Sequence, residues 1–574
     1  MHTARPFYLA RLPIWIACTL PMTASDSRAS ADPAPLSLPE VVITETINRG
    51  REEIWRYTRI AHFEVLSGVP DREARVTLRE LDRFARILEL VWPAAGDGRP
   101  HVPTSLILCG PTTGYFAFLP PDGSRHGESN LLLTGPDRAA LIINQEDYLP
   151  SDPTLLTEDG GTAGRLHANI ERRTIQLYVR LLLASKQARL PLWLEAGLVQ
   201  TLADIEVHSG WLTYGKINTE QNNATGEQPV FTRPEDFCAP TDKADLSFKQ
   251  LFARGGLMPL DQFFVARQTN GAEPSFDSYW AKQAYAFVHF CLFGENLRHR
   301  DALARFVNQL GAQPPTEEMF RACFGVGYRA MEEELKAYFR HTRHQYQRYA
   351  LEADQAAGRP DFAFAPATAA QIGRLKGDAA ALAGRHDVAR STYAKAYDQG
   401  AREPPIIAGY GLALLASPDG DRALARRLID AAVQAGVDRP AALVAQARLR
   451  LDEFIAAAGP AGQLTDQQLA LVLAPLFKAR SLHPPLAATY ATIAEAWAAA
   501  TTIPRPEHLA VLDEGIRRFP RDSQLLYRAA MLHQQRGSAE TAAALAKRGQ
   551  QYAGSAEDRA LFARLLEPSA GPKN

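Results

Sequence analysis

Residues 174–202 read "TIQLYVRLLLASKQARLPLWLEAGLVQTL". Ile175, Val179, Leu182 and Leu183 fall at helical spacing, so a helix with one apolar stripe is expected over residues 176–185. The short polar turn "SKQAR" follows. Pro191 and Trp193 then open a second helix, with Leu194, Leu198 and Leu202 at its apolar positions. A proline suits a helix start, where its missing N–H has no intrahelical partner to lose. Periodicity gives this pair of helices and, by itself, no chemistry.

Upstream, the pattern mixes strands with one strong helix. "HFEVLSG" (residues 62–68) alternates and ends in a turn. In residues 72–92, Val76, Leu78, Leu81, Phe84, Ile87 and Leu90 recur at helical spacing. "TSLILCG" (104–110) and "AALIINQ" (139–145) are continuous apolar runs bounded by turn residues, as buried strands are. "GYFAFLPPDG" (114–123) reads as a strand entering a turn. Downstream, helices are expected over residues 278–294 and 317–349, with a loop or hairpin excursion at 210–232. The combination is α+β with a small sheet.

Beyond residue 370 the composition turns to Ala-rich amphipathic helices, and a spacing repeats. Gly384, Ala389, Tyr393 and Ala396 are separated by five, four and three residues. So are Gly420, Ala425, Ile429 and Ala432, and again Gly537, Ala542, Ala546 and Gly549. Small residues so placed let antiparallel helices approach around a tight turn. The segment resembles tetratricopeptide repeats (TPRs), with Gly377 and Ala380 completing the first helix of the clearest unit. A weaker unit runs through Ala494, Trp497, Ala510 and Glu514, interrupted by "TTIPRP".

The 574 residues are too many for one ordinary core. A net charge of -1, with 46% hydrophobic and 22% charged residues, gives no reason to expect a nucleic-acid partner. The start is a separate matter. Arg5 and Arg11 precede an apolar run from Leu12 to about Ala24, and Ala29-Ser30-Ala31 offers a small-x-small cleavage site. This is the layout of a secretory signal peptide over residues 1–31, against the alternative of an uncleaved anchor, and the run is short for a membrane span. Trp15 stands where a lipobox around Cys18 needs an aliphatic residue. The expectation is export to a periplasmic or extracellular location, with no stable span once the leader is removed. Cys109, Cys238, Cys291 and Cys323 remain, without C-x-x-C or zinc-finger spacing, and both disulfides and buried thiols are open to them.

"LPLWLEAGLVQTL" resembles the P-x-W-L-x-E-G-L-A segment of gluzincin-type metallopeptidases, in particular the bacterial DUF1570-like and peptidase-MA-like families. The likeness extends through "HFEVLSG", "GYFAF" and "YWAKQAYAFVHFCLFG", over roughly residues 50 to 345. In those families a preceding helix carries H-E-x-x-H, whose two histidines hold zinc while the Glu acts as general base; the Glu of W-L-x-E-G is the third ligand. The resemblance places Gln176, Leu177 and Arg180 on H-E-x-x-H and Ala196 on the third ligand. All four depart from the pattern. Gln176 is a neutral amide, Leu177 cannot take a proton from water, and Ala196 offers no donor. Arg180 sets a positive charge where the cation belongs, a repulsion of several kcal/mol at an effective dielectric of about 20. Zinc is therefore not expected. Glu195 is one residue from the third-ligand position, a rotation of about 100°, which turns it away from the seam. It also has the reach to pair with Arg180, replacing metal by an ion pair.

Other constellations are weaker. His167 and Glu171 stand four apart, and with Glu195 they form an alternative ligand set for an active metallopeptidase. His341 and His344, among Arg340, Arg343 and Arg348, read as a solvated basic helix end or an anion patch. His289 and Cys291 diverge around an apolar helix and fit core positions. Tyr115, Phe116 and Phe118, near Pro120-Pro121, fit either a peptide groove or buried strand aromatics. There is no G-x-S-x-G, P-loop or Rossmann glycine pattern.

The expected architecture is a zincin-like α+β domain over residues 36–357, a linker at 358–370, and an all-α TPR-like helical solenoid over 371–568. The expected role is a non-catalytic pseudopeptidase that binds a protein or peptide partner through its repeats and degenerate cleft. The alternatives are an active enzyme with displaced ligands, or a purely structural envelope protein.

Overall fold

The computed structural model describes residues 53–566 apart from 61–62, 93–99, 111–112, 123–129, 146–172, 184–189, 209, 218–236, 239–247, 253–256, 268–273, 277, 311–312, 341–343, 352–361, 460–462, 503 and 554. The expected leader lies outside these residues, as do His167, Glu171 and His341.

Five strands, β1 (Arg56–Ile60), β2 (Phe63–Ser67), β3 (Thr104–Cys109), β4 (Asn130–Thr134) and β5 (Ala139–Asn144), form a mixed sheet with the much later β9 (Ala365–Pro366). The order is β4-β5-β3-β2-β1-β9. β3 runs parallel to both β2 and β5, while β1, β4 and β9 pair antiparallel with their neighbours. The uninterrupted apolar character of β3 and β5 has a direct cause: both faces of the sheet are covered. Leu106, Leu108, Leu141 and Ile143 point to one face, where α1 (Asp71–Val91) and the helix at 173–183 (α2) supply Leu78, Leu81, Leu88, Tyr178 and Leu182. Ile107, Cys109, Ala140 and Ile142 point to the other. There they meet Leu375, Ala379 and Ala383, which belong to or cap α8 (Ala369–Leu382), the first helix of the C-terminal array.

A second core lies under α3 (Leu192–Ala203) and α4 (Tyr279–Phe293), with α5 (Arg300–Leu310), α6 (Glu317–Phe324) and α7 (Tyr328–Arg340) around them. α4 is buried on all sides, as its all-round apolar sequence requires. Two of its polar members are matched individually. Gln283 accepts from Met258 N and donates to Met258 O, and Lys282 Nζ lies 4.1 Å from the Phe248 ring centre. Gly197 of α3 sits where a Cβ would come within 2.4 Å of Val288, so only glycine allows α3 and α4 to approach so closely. A three-stranded antiparallel sheet, β6 (Glu206–Val207), β7 (Trp211–Tyr214) and β8 (Gln347–Ala350), borders this region.

The C-terminal part is a TPR-like array of helices. They are α8, α9 (His386–Asp398), α10 (Pro404–Ala416), α11 (Arg422–Gln434), α12 (Pro440–Ala458), α13 (Asp466–Ser481), α14 (Ala487–Ala498), α15 (Pro506–Arg518), α16 (Ser523–Gln535), α17 (Ala539–Tyr552) and α18 (Ala556–Leu566). The recurring positions are the contact positions: Ala389, Tyr393, Ala396, Ala425, Ile429, Ala432, Ala542 and Ala546 are buried. Gly377 and Gly409 clasp the Tyr393 ring from two neighbouring helices, where a Cβ would stand 2.5 and 2.4 Å from it. The weaker unit keeps Ala494 and Trp497 buried, but Leu509 and Leu512 fill the core in place of Ala510, which is exposed.

Several local expectations change in the folded chain. The strand expected at 114–123 is a 3-10 helix, Tyr115–Phe118, entered through Gly114 at a φ of 62°. Pro120 and Pro121, lacking N–H groups, cannot donate to a ladder beyond it. Tyr115 and Phe118 are buried and Phe116 is 67% exposed, so the three aromatics do not line one groove. The helix expected over 317–349 breaks at Gly325, which caps α6 at a φ of 77°, and the segment ends in β8. Arg348 consequently lies over Trp211 (4.1 Å) and the His344 ring lies 4.9 Å from that of Tyr338, so these two stand beyond the helix, whose exposed last residue is Arg340; His341 and Arg343 lie outside the described residues. The four later cysteines are buried thiols, with no disulfide among the described residues.

The segment expected as a linker is structured where described. β9 pairs with β1, Thr368 caps α8 in a reciprocal capping box with Gln371, and the array begins at Ala369. Arg374 grips Glu64 with two hydrogen bonds of 2.8 Å, and Arg385 donates to Leu119 O at 2.8 Å. Residues Glu52–Asn574 accordingly make one compact unit. Burial pushes the Glu64 pKa up, but Arg374, Arg59 and Tyr57 outweigh it and bring the carboxyl to about 2. A depressed carboxyl contributes stability that is fully present above its ordinary value of 4.5 and is lost as pH falls toward about 2. Glu64→Gln is therefore expected to flatten the acid side of a melting-temperature profile between those pH values; an unchanged acid side would remove Glu64 from this role.

Candidate functional site

α2 and α3 run against each other, so positions of the metallopeptidase-like motif face residues on the second helix. Gln176 Nε2 donates to Gln200 Oε1 at 3.2 Å. One turn along α2, Arg180 Nε lies 3.6 Å from Glu195 Oε1, with both side chains largely shielded. The Arg180 guanidinium also lies over the Phe276 ring, 3.8 Å from its centre. Leu177 is packed in the core beneath the sheet, and Ala196 is fully buried in the core beside α4.

This reverses the expected facing of α3. Glu195 lies on the side of α3 that carries Val199 and Leu202 toward α2, and Ala196, about 100° around the helix, turns to α4. The close seating of Gly197 on α4 sets that rotation. Gln200 and Phe276 complete the site and were not singled out from the sequence. Gln200 had a signal, since it follows Ala196 by one helical turn; Phe276 had none, since its loop position is brought in only by the fold.

The residues do not fit zinc. The amide at 176 is hydrogen-bonded to a second amide, a cation occupies the place of the second histidine, and the nearest carboxylate is engaged by that cation. Nothing among them can both hold a metal and deprotonate water. His289, the other histidine of the expected core, is fully buried on α4 with Nε2 2.7 Å from Gly215 O, and burial lowers its pKa to about 3. It serves the core.

No family model and no curated protein matches the chain. Three solved structures are similar to about a third of it. A TPR protein, YrrB, described as having an unusual peptide-binding site, shares 14% identity at a TM-score of 0.26, over 33% of this chain and 89% of its own. TTC0263, a thermophilic TPR protein of Thermus thermophilus, shares 16% at 0.27, over 34% and 98%. The TPR2AB domain of yeast Sti1, solved in a pHSP90 complex, shares 16% at 0.18, over 34% and 83%. The repeat architecture rests on the helix pairing and small-residue contacts described above. Among the described residues no helix is long and apolar enough to cross a membrane.

Proposed function

We propose that this chain is an exported, non-catalytic binding scaffold: a zincin-like front domain whose peptidase site has been replaced by an ion pair, joined to a TPR-like array that holds a protein or peptide partner. The observation that carries the reading is Arg180 against Glu195, where the resemblance calls for a cation. The Gln176–Gln200 hydrogen bond and the burial of Ala196 support it, because restoring ligands there would mean breaking one contact and burying a charge in an apolar core. Against an enzyme with ligands His167, Glu171 and Glu195 stands the engagement of Glu195 by Arg180. The stacked helices of the array offer the extended surface such proteins use for partners.

The test uses the chain from about Asp32 onward, with a library of extended peptides carrying a photo-crosslinker. Capture with crosslinks on the helices of α8–α18, and no cleavage with or without added zinc, is expected. Zinc-dependent cleavage that disappears in Glu195→Gln would overturn the reading. Crosslinks confined to the front cleft would overturn the part assigned to the array. An N-terminus near Asp32 on protein recovered from the medium or periplasm checks export.

A further inference from the structure

We infer that Glu295, His299 and Glu334 form a zinc site, separate from the peptidase-like position and mentioned by none of the motif spacings above. One ligand atom from each lies within 4.8 Å of the others. They come from different places. Glu295 and His299 flank the turn between α4 and α5, and Glu334 projects from α7. The turn is left-handed through three consecutive residues, Glu295, Asn296 and Leu297, at φ of 45°, 55° and 68°. It is closed by Leu297 N on Gly294 O at 2.9 Å, and this brings Glu295 back toward His299.

The pointer to a ligand is the His299–Glu334 contact. The His299 side chain is 1% exposed, and its Nε2 lies 3.3 Å from Glu334 Oε2. Both atoms are buried, and neither makes a hydrogen bond. Buried polar atoms are nearly always hydrogen-bonded, so an ion contact of 3.3 Å that falls outside hydrogen-bond geometry leaves both atoms able to bind a shared cation. Tetrahedral zinc with bonds of about 2.0–2.1 Å separates its ligand atoms by roughly 3.3–3.4 Å. The observed contact has that spacing. The ring is held in place by Phe290 and Phe324, with centres 5.0 and 5.9 Å away, so little ordering remains to be done on binding. One nitrogen and two carboxylates suit zinc, with water as fourth ligand.

Arg298 is the competitor. Its guanidinium lies 2.7 Å from Glu295 and 4.0 Å from Glu334, and its side chain is half exposed. Zinc entry displaces it into solvent. The site would then clamp the end of α4 to α7.

Zinc chloride titrated calorimetrically into the chelator-stripped chain, from about Asp32 onward, is expected to bind once per molecule. Glu295→Gln removes an exposed carboxylate and should leave the fold intact, as circular dichroism will check. Its affinity should fall on the order of 100-fold or more, since even groups that merely support metal ligands are worth ~10–100-fold. Arg298→Ala should bind zinc more tightly than the parent, a gain that a purely structural role for this turn does not give. Glu195→Gln should change nothing. Absence of stoichiometric binding would overturn the site, as would affinity that Glu295→Gln and Arg298→Ala both leave unchanged. Neither result bears on the peptide-capture test.

Discussion

Replacing Asp378 by alanine is expected to destabilise the protein by about 3–5 kcal/mol, the usual cost of removing one partner from a buried charge pair. Asp378 lies on α8, facing the sheet domain, and its carboxylate collects three partners. Arg439 reaches it at 2.9 Å, Arg138 at 3.3 Å and the Tyr393 hydroxyl at 2.6 Å. Arg439 extends the network to Asp137 at 2.8 Å. Burial alone would raise the Asp378 pKa; the Arg439 and Arg138 charges and the Tyr393 hydrogen bond pull it below its ordinary value. Alanine leaves Arg439 buried with one carboxylate instead of two, and Tyr393 with only the distant Arg374 O, at 3.5 Å, as acceptor. Equilibrium urea unfolding of the full chain measures the loss. A change under about 1 kcal/mol would mean that water reaches the cluster and screens it. The sign with pH follows from the depressed carboxyl: the contribution is present above its ordinary range and is lost as pH falls through the folded value. Because the network joins Asp137 and Arg138 of the sheet domain to α8 and α12, the same variant should weaken the docking of the array, which protease sensitivity near residues 362–370 will report.

Trp193→Ala should cost a comparable amount, about 3–5 kcal/mol, by emptying a large site that its surroundings cannot refill. The indole is 1% exposed and lies among Phe263, Phe264, Phe287 and Phe306, with ring centres 5.2 to 6.4 Å away. These rings come from separate segments, so no single shift closes the gap. Trp193→Phe keeps most of the volume and should recover well over half of the loss. Thermal melts of both variants decide the matter: equal losses would show that the indole itself, rather than packing, matters. The residue also bears on the candidate site. Trp193 and Gly197 seat α3 on α4, and that seating turns Glu195 toward Arg180.

Much of this was legible in the sequence because it is periodic and local. The apolar stripe of α1, the paired helices of 174–202, the buried character of β3 and β5 and the small-residue spacing of the array all follow from repeats of two, or of three to four, residues. The amide and the cation at Gln176 and Arg180 were equally readable, since side-chain chemistry needs no coordinates to rule out a zinc ligand. Three features were decided by tertiary structure. The rotation of α3 that presents Glu195, and not Ala196, is set by a glycine fitting against α4. The covering of the sheet's second face by α8 joins residues far apart in the chain, Glu64 and Arg374 among them, and no local pattern encodes it. The meeting of Glu295, His299 and Glu334 depends on a left-handed turn and on the packing of α7 beside it. Periodicity says which side of an element is apolar, and only packing chooses what that side meets and which polar groups are brought together at its edge.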